Sequence, residues 1–325
     1  MGKRLVMCTS TGCIEYAPER YRNLGIDIIR IHLSFKGKEY LEGLDLDPVQ
    51  LYKEMENTKE VKDNLPSTAM PTYEEVSGHF KKAIEEGYDE VIAITISSGL
   101  GCTGNYIKLV SKEFEDKLTT HVIDARITCF QEGYLAILAK RLVDKGVPTE
   151  QILKEIQWVK DRDCFIGIDE RLDYLIYNGR LKGGKAYMGK LMHIVPVLYF
   201  DNDGVLKPLF NTMGIKPALK KTCDLLVKDV IKDRKKEDYL LFHIFTGPTT
   251  VAKLKEVEKD YGIECTHEDV IMSPVSGIHN GPWLAGYGLI PIRREDESLD
   301  DVVVEEVGVT APLGEVTTNF RADKE

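Results

Sequence analysis

The stretch Ile94-Thr95-Ile96-Ser97-Ser98-Gly99-Leu100-Gly101-Cys102-Thr103-Gly104 constrains the fold more than any other part of the chain. Glu90 to Ile96 is an apolar, β-branched run and predicts a buried strand. Two serines and three glycines follow, and an apolar-periodic helix carrying Tyr106, Leu109 and Val110 begins near Thr103. Hydroxyls and backbone N–H groups therefore gather where a strand's carboxyl end meets a helix N-terminus. In an open α/β sheet ligands bind at that edge, and a helix start favours anions. A plain strand-to-helix turn with Thr103 as N-cap satisfies the same local pattern.

The rest of the N-terminal half repeats the alternation. Arg4 to Cys8 predicts a first strand, followed by the hydroxyl-rich loop Thr9-Ser10-Thr11-Gly12. Glu19 to Leu24 suggests a short helix, Ile28 to Leu33 a strand, and Phe35 to Lys38 a turn. Asp47 and Pro48 open a helix as N-cap and first helical residue. Asn64 to Pro71 is a third hydroxyl-bearing loop, stiffened by Pro66 and Pro71, and Thr72 with Glu75 forms a capping box for the next helix. A strand from His121 to Asp124 and a helix from about Gln131 to Lys145-Gly146 complete a pattern that predicts a parallel sheet with helices on both faces.

A helix opened by Pro148-Thr149-Glu150 ends near Arg162, and the domain boundary is placed there. Beyond it come a strand from Cys164 to Ile168, a short helix from Leu172 to Tyr177 and the basic, glycine-rich loop Arg180 to Lys185. That loop reads either as a phosphate cradle or as a helix C-cap with a flexible connection. Met192 to Phe200 and Val205 to Phe210 form a hairpin around Asp201-Asn202-Asp203-Gly204. An amphipathic helix (Lys216 to Ile231), a strand (Tyr239 to Phe245), a helix opened by Thr246-Gly247-Pro248, and strands at Val270 to Pro274 and Leu284 to Ile292 follow, with Ile278 to Trp283 as a loop. The expected class is α/β in two domains: a Rossmann-like parallel-sheet domain over 1–162 and a mixed-sheet α+β domain over 163–295. For the acidic tail, 296–325, an edge strand through Val302 to Val304 and Val307 to Val309 and disorder are equally open.

The net charge of −10 argues against nucleic acid or an anionic membrane surface as a standing partner. No apolar run reaches the length of a membrane span, and Met1 to Arg4 leads straight into a strand, so neither stable membrane insertion nor a signal peptide is expected. Seven cysteines, an odd number without CxxC spacing, suggest reduced thiols in a cytoplasmic protein, with no metal site. Cys8 and Cys13 suit small buried positions near a turn better than a redox pair or metal ligands. Cys102, at a helix start, has the setting of an activated thiol, but no His or acid is tied to it locally.

Ser10 and Thr11, Thr68, and Ser97 and Ser98 all follow or flank strand positions, and such loops converge at one edge of a parallel sheet. No His, Asp or Lys stands at a spacing that would activate one of these hydroxyls. They suit a cradle for a carboxylate or phosphate. His279, in a Gly/Pro-rich segment, reads on its own as a structural loop histidine more readily than as a site group.

Several of these segments match motifs of one known family. Pro66-Ser67-Thr68-Ala69-Met70-Pro71 is similar to a Thr-Ser-Gln-Pro loop, and Ser97 to Thr103 to a Ser-Ser-Gly-Leu-Ser-Gly-Thr loop. Val122-Ile123-Asp124 matches a Val-x-Asp strand end, and Leu175 to Gly189, with Asn178-Gly179-Arg180 inside, a Leu-x-x-Gly-Gly-Arg segment. Pro196 to Pro208 matches a hairpin, and His279-Asn280-Gly281-Pro282 a His-x-Gly-Pro motif. In this order, from about Val6 to Ile290, they resemble the DegV family of bacterial fatty-acid-binding proteins, which includes the lipid-carrying subunits of fatty acid kinase.

The resemblance implies two α/β domains with one long-chain fatty acid buried between or beneath them, and no other cofactor. It assigns the carboxylate to Thr68 and Ser98, with Ser97 as the alternative to Ser98 and His279 nearby. Ser10, Thr11, Gly281, Trp283 and Met213 would stand at the rim. Such a protein is a carrier, not an enzyme, and presents the carboxylate to a separate kinase that makes an acyl-phosphate. The chain departs from the family pattern in several places: Thr9 replaces an acidic residue, Ala69-Met70 replaces Ser-Gln, and Gly101-Cys102 replaces Ser-Gly. Met213 stands where an Arg is usual, and Trp283 replaces a glycine. The alternatives are a divergent member that binds another anionic small molecule, and an α/β enzyme using Cys102 or His279.

Overall fold

The β-branched run over Glu90–Thr95 becomes the third strand of a parallel sheet. A computed structural model describes residues 2–58, 61–181 and 194–293. In it β2 (Asp27–Ile29), β1 (Arg4–Thr9), β6 (Glu90–Thr95) and β7 (Thr119–Asp124) lie side by side in that order, all parallel. Side chains alternate across a strand, and β6 shows why its sequence is apolar throughout. Val91 and Ala93 share a buried cluster with Val76 and Phe80 of α2 (Tyr73–Glu85) and Ile107 of α3 (Thr103–Ser111). Ile92 and Ile94 join a second cluster containing Phe130, Leu135 and Ile137 of α4 (Cys129–Asp144).

The second sheet has the order β10 (Leu206–Met213), β9 (Ile194–Phe200), β8 (Cys164–Asp169), β13 (Leu284–Pro291), β11 (Tyr239–Phe245), β12 (Val270–Ile271). Its neighbours are antiparallel except β11 and β12. One face is covered by α7 (Ile215–Leu225) and α8 (Pro248–Glu258) through Ala218, Leu219, Val251 and Leu254. Residues of its other face, including Phe165, Phe242 and Ile244, belong to the same cluster as α4. α4 thus lies between the two sheets, followed by α5 (Thr149–Lys160). The fit is tight enough to require Gly133, because a Cβ there would come within 2.0 Å of the Gly12 carbonyl oxygen.

A small antiparallel sheet, β4 (Lys38–Leu41), β3 (His32–Phe35), β5 (Ser67–Ala69), forms a third unit. It packs with α1 (Pro48–Glu56), with Tyr174 of α6 (Asp173–Tyr177) and with Val275 and Ile278 of α9 (Pro274–Asn280). The Asp47 cap and the Thr72–Glu75 capping box form as expected.

Several expected elements differ. The run Ile28 to Leu33 is two strands in two sheets; at the break the Ile31 N–H donates to Ser10 Oγ at 3.1 Å, and the Arg30 guanidinium pairs with Glu15 and the Glu42 carbonyl, each at 2.6 Å. The loop around Thr68 contains β5. Cys102, not Thr103, holds the N-cap position of α3, and no side chain caps that helix. His279 is helical, one residue before the end of α9, because Ser273 caps that helix and Pro274 starts it. The strand expected from Val270 to Pro274 is only two residues long. The loop from Lys182 onward, Met192 and the acidic tail lie outside the described residues.

Candidate functional site

A cavity of about 330 Å³ opens where the 96–103 loop, β5, the start of α4, α9 and the inner face of the mixed sheet meet. That is near the lower end of the range of roughly 300–1,000 Å³ for small-molecule pockets. Its walls are mainly apolar, with Ile96, Ile127, Phe165, Phe200, Ile244 and Leu284 among them. Against them stand a few polar groups: Thr68, Thr128, Gln131, Arg180, Ser276, His279 and Asn280.

Two elements bring the polar groups together. β5 fixes Thr68 by pairing it with Leu33. α9 presents Ser276 and, a turn later, His279 and Asn280. The Thr68 hydroxyl lies 3.4 Å from His279 Nε2, a long hydrogen bond. His279 Nδ1 has no partner among the described residues. The imidazole keeps some exposed surface, yet burial, reinforced by the charge of Arg180, pushes its pKa down to about 3. It is neutral at physiological pH. Arg180 donates from Nη1 to the Asn178 carbonyl at 2.6 Å, which holds the guanidinium at the cavity wall. Thr128 and Ser276, also in the cavity lining, share a hydrogen bond of 2.7 Å.

Of the residues expected in the head-group site, only Thr68 and His279 line this cavity together. The Ser97 hydroxyl donates to the Gly204 carbonyl at 2.7 Å and accepts from the Gly99 N–H at 3.1 Å, which fastens the loop to the β9–β10 hairpin. Ser98 is exposed, and its N–H donates to Asp124 at 3.2 Å. The loop reaches the cavity through Ile96, Leu100, Gly101, Cys102 and Thr103 instead.

Ser10 and Thr11 are not at a rim but buried in an acid network. Ser10 donates to Glu42 at 2.6 Å, and the Val275 N–H donates to the other oxygen of that carboxyl at 2.8 Å. Thr11 donates to Glu132 at 2.9 Å, and Thr9 bonds the same oxygen. Glu132 thus places a carboxyl group beside Thr9. Burial drives both carboxyls upward, Glu42 to about 7.

The other rim candidates also lie elsewhere. Trp283 packs on Tyr174 with ring centroids 6.3 Å apart, under the Arg171 guanidinium at 4.3 Å. Gly281 has φ +85°, and a Cβ there would come within 2.5 Å of the Tyr174 ring. Met213 is 69% exposed at the end of β10. Cys102 lines the cavity, with its Sγ 3.3 Å from Met70 Sδ, and no His or carboxylate is bonded to it among the described residues. Cys8 and Cys13 are buried, and no cluster of three potential metal ligands occurs among the described residues.

Sequence reasoning missed Glu42, Glu132, Thr128, Gln131, Ser276 and Asn280. One signal was available: Thr128, Gln131 and Glu132 interrupt the start of a helix that is otherwise apolar as far as Ala139.

The comparisons with known proteins agree with this architecture. A solved structure of a fatty acid binding DegV family protein from Streptococcus agalactiae superposes with a TM-score of 0.79 at 25% identity, covering 90% of this chain and 100% of that one. A DegV domain-containing protein of Clostridium acetobutylicum is 27% identical over 288 residues, 89% of this chain and 99% of that protein. A protein of Thermotoga maritima named fatty acid-binding protein is 26% identical over 279 residues, 79% of this chain and 94% of that protein. The family model described as an uncharacterised protein of the DegV family matches residues 4–291, and the chain belongs to the DegV family.

Proposed function

We propose that the protein binds one long-chain fatty acid in this cavity, with its carboxylate against Thr68, His279 and Arg180. The observation that carries the reading is an apolar cavity with one cluster of donors in its wall, and the relatives named for fatty acid binding support it. An unpaired carboxylate would not enter such a space. Here the Thr68 hydroxyl and an imidazole N–H donate to it, and the Arg180 charge balances it. Ser97 and Ser98 are assigned to shaping the loop.

A C16 tail at ~0.8 kcal/mol per CH₂ contributes on the order of 10 kcal/mol before association costs. Each hydrogen bond to the carboxylate adds about 1.5–3 kcal/mol. The tail supplies most of the affinity, and the donors fix which end enters where. We assign the protein a carrier role: it presents the carboxylate to a separate kinase in the cytoplasm. The proposed domain limits remain 1–162 and 163–295. No helix among the described residues is long and apolar enough to cross a membrane.

Displacement of a fluorescent fatty acid tests the reading. Palmitate should displace it, methyl palmitate more weakly, and butyrate not at all. Equal displacement by the acid and its ester would remove the head-group assignment. Displacement by inorganic phosphate but not by palmitate would favour a different anionic ligand.

A further inference from the structure

Two amide groups in the cavity wall have one end engaged and the other without a partner. Gln131, on the first turn of α4, is 1% exposed, and Asn280, the last residue of α9, is 7% exposed. Gln131 Nε2 donates to the Cys164 carbonyl at 3.1 Å, and Asn280 Nδ2 to the Ser276 carbonyl at 3.0 Å. These bonds fix the orientation of both amides, because a flipped amide would set oxygen against oxygen. Neither Gln131 Oε1 nor Asn280 Oδ1 has a hydrogen-bond partner among the described residues.

The two groups sit at different depths. Asn280 adjoins His279 and belongs with the head group. Gln131 is tied to Cys164, the first residue of β8, whereas the last residue, Asp169, pairs with Leu284 just beyond α9. The six residues of β8 span on the order of 17 Å. Gln131 therefore lies toward the end of the cavity remote from His279. A buried carbonyl oxygen with nothing to accept from is costly. A plain acyl chain offers it no donor, and a hydroxyl offers one.

We propose that the cavity takes an acyl chain bearing a hydroxyl group remote from its carboxylate, and that this hydroxyl donates to Gln131 Oε1. The inference rests on the fatty-acid reading of the same cavity and names the class of acid. α4 contributes Gln131 as the residue that selects for it.

The test is competitive displacement of a fluorescent fatty acid from the full chain by palmitate, α-hydroxypalmitate, ω-hydroxypalmitate and ω-methoxypalmitate. ω-Hydroxypalmitate should bind at least as tightly as palmitate, and its ratio to palmitate should fall about tenfold, or about 1.4 kcal/mol, in Gln131→Met. α-Hydroxypalmitate should show no such dependence. The ω-methoxy acid, which cannot donate, should bind more weakly than the ω-hydroxy acid; this comparison needs only the wild-type protein, should the variant fail to fold. An unchanged ratio in the variant, or equal binding of hydroxy and methoxy acids, overturns the inference while palmitate binding keeps the fatty-acid reading. Failure of all four acids removes both.

Discussion

Two histidines on the two sides of the mixed sheet, His243 on strand β11 and His279 on helix α9, are in opposite states. His243, on the α8 face, is 4% exposed, and both ring nitrogens are held by carboxylates: Nδ1 by Asp269 and Nε2 by Glu258, each at 2.8 Å. Tyr287 donates to the same Glu258 oxygen as Nε2, at 2.7 Å. Burial by itself would lower the His243 pKa, but the contacts with Asp269, Cys265 and Glu258 override it and raise it to about 11. His279, on the cavity side, has one long contact to a hydroxyl and is driven down to about 3. Ile244, the residue after His243, lines the cavity from the other face of the same strand. Burial is common to both histidines, and saturation separates them. Where every polar atom has a partner, the cluster holds the fold together. Where donors are left against an apolar wall, as at His279, the partner is left to the proposed ligand.

Removing His243 should have the largest effect. His243→Ala leaves the largely buried Glu258 carboxylate without its cation, while Asp269 keeps Lys255, and breaking such a buried pair costs about 3–5 kcal/mol. Urea denaturation should show this loss, while the folded fraction binds palmitate as the wild type does. If affinity falls and stability does not, the comparison between the faces is wrong.

The double variant Thr68→Ala/His279→Ala should do the reverse. Its palmitate affinity should fall by about 3 kcal/mol, roughly a hundredfold, in a titration. Its stability should stay close to wild type, because His279 Nδ1 has no partner to lose.

Glu42 asks whether burial without a cation behaves as a third case. Its folded pKa, about 7, lies above the ordinary 4.5. The folded state therefore holds the proton more tightly, and this contribution to stability is complete below pH 4.5 and is lost as pH rises through 7. Glu42→Gln should remove that decline, by on the order of 2 kcal/mol, in denaturation curves compared at pH 5 and pH 8. Parallel curves for both proteins would contradict it.

The smallest effect on binding is expected from Trp283→Ala. Trp283 sits with Tyr174 and Arg171 and not in the cavity wall, so palmitate affinity should not change. A large gain or loss in the same titration would put the indole back at the entrance.

Much of this was legible in the sequence, for particular reasons. β6 is apolar on both faces because helices cover both, and the hairpin carries Asp203-Gly204, with Gly204 at φ +68°. Thr68 was singled out by the resemblance of its loop to a family motif, whereas its own prolines predicted a loop where β5 forms. The role of Ser97 could not be placed, since its partner, the Gly204 carbonyl, lies 107 residues away. Glu42 and Glu132 were passed over because carboxylates normally stay in water; only the folded chain brings Ser10, Thr9 and Thr11 to them. His279 was read as a loop residue because glycine and proline surround it, but Pro274 begins a helix and Gly281 ends one.

The cavity is proposed to hold a fatty acid by its carboxylate at Thr68 and His279. Native and denaturing mass spectrometry of the wild type and the Thr68→Ala/His279→Ala variant, both purified without added lipid, tests it most directly. The wild type should carry a mass excess that resolves into a free fatty acid and is absent from the folded variant. A wild-type protein that carries no acyl chain and takes up no added palmitate would contradict it.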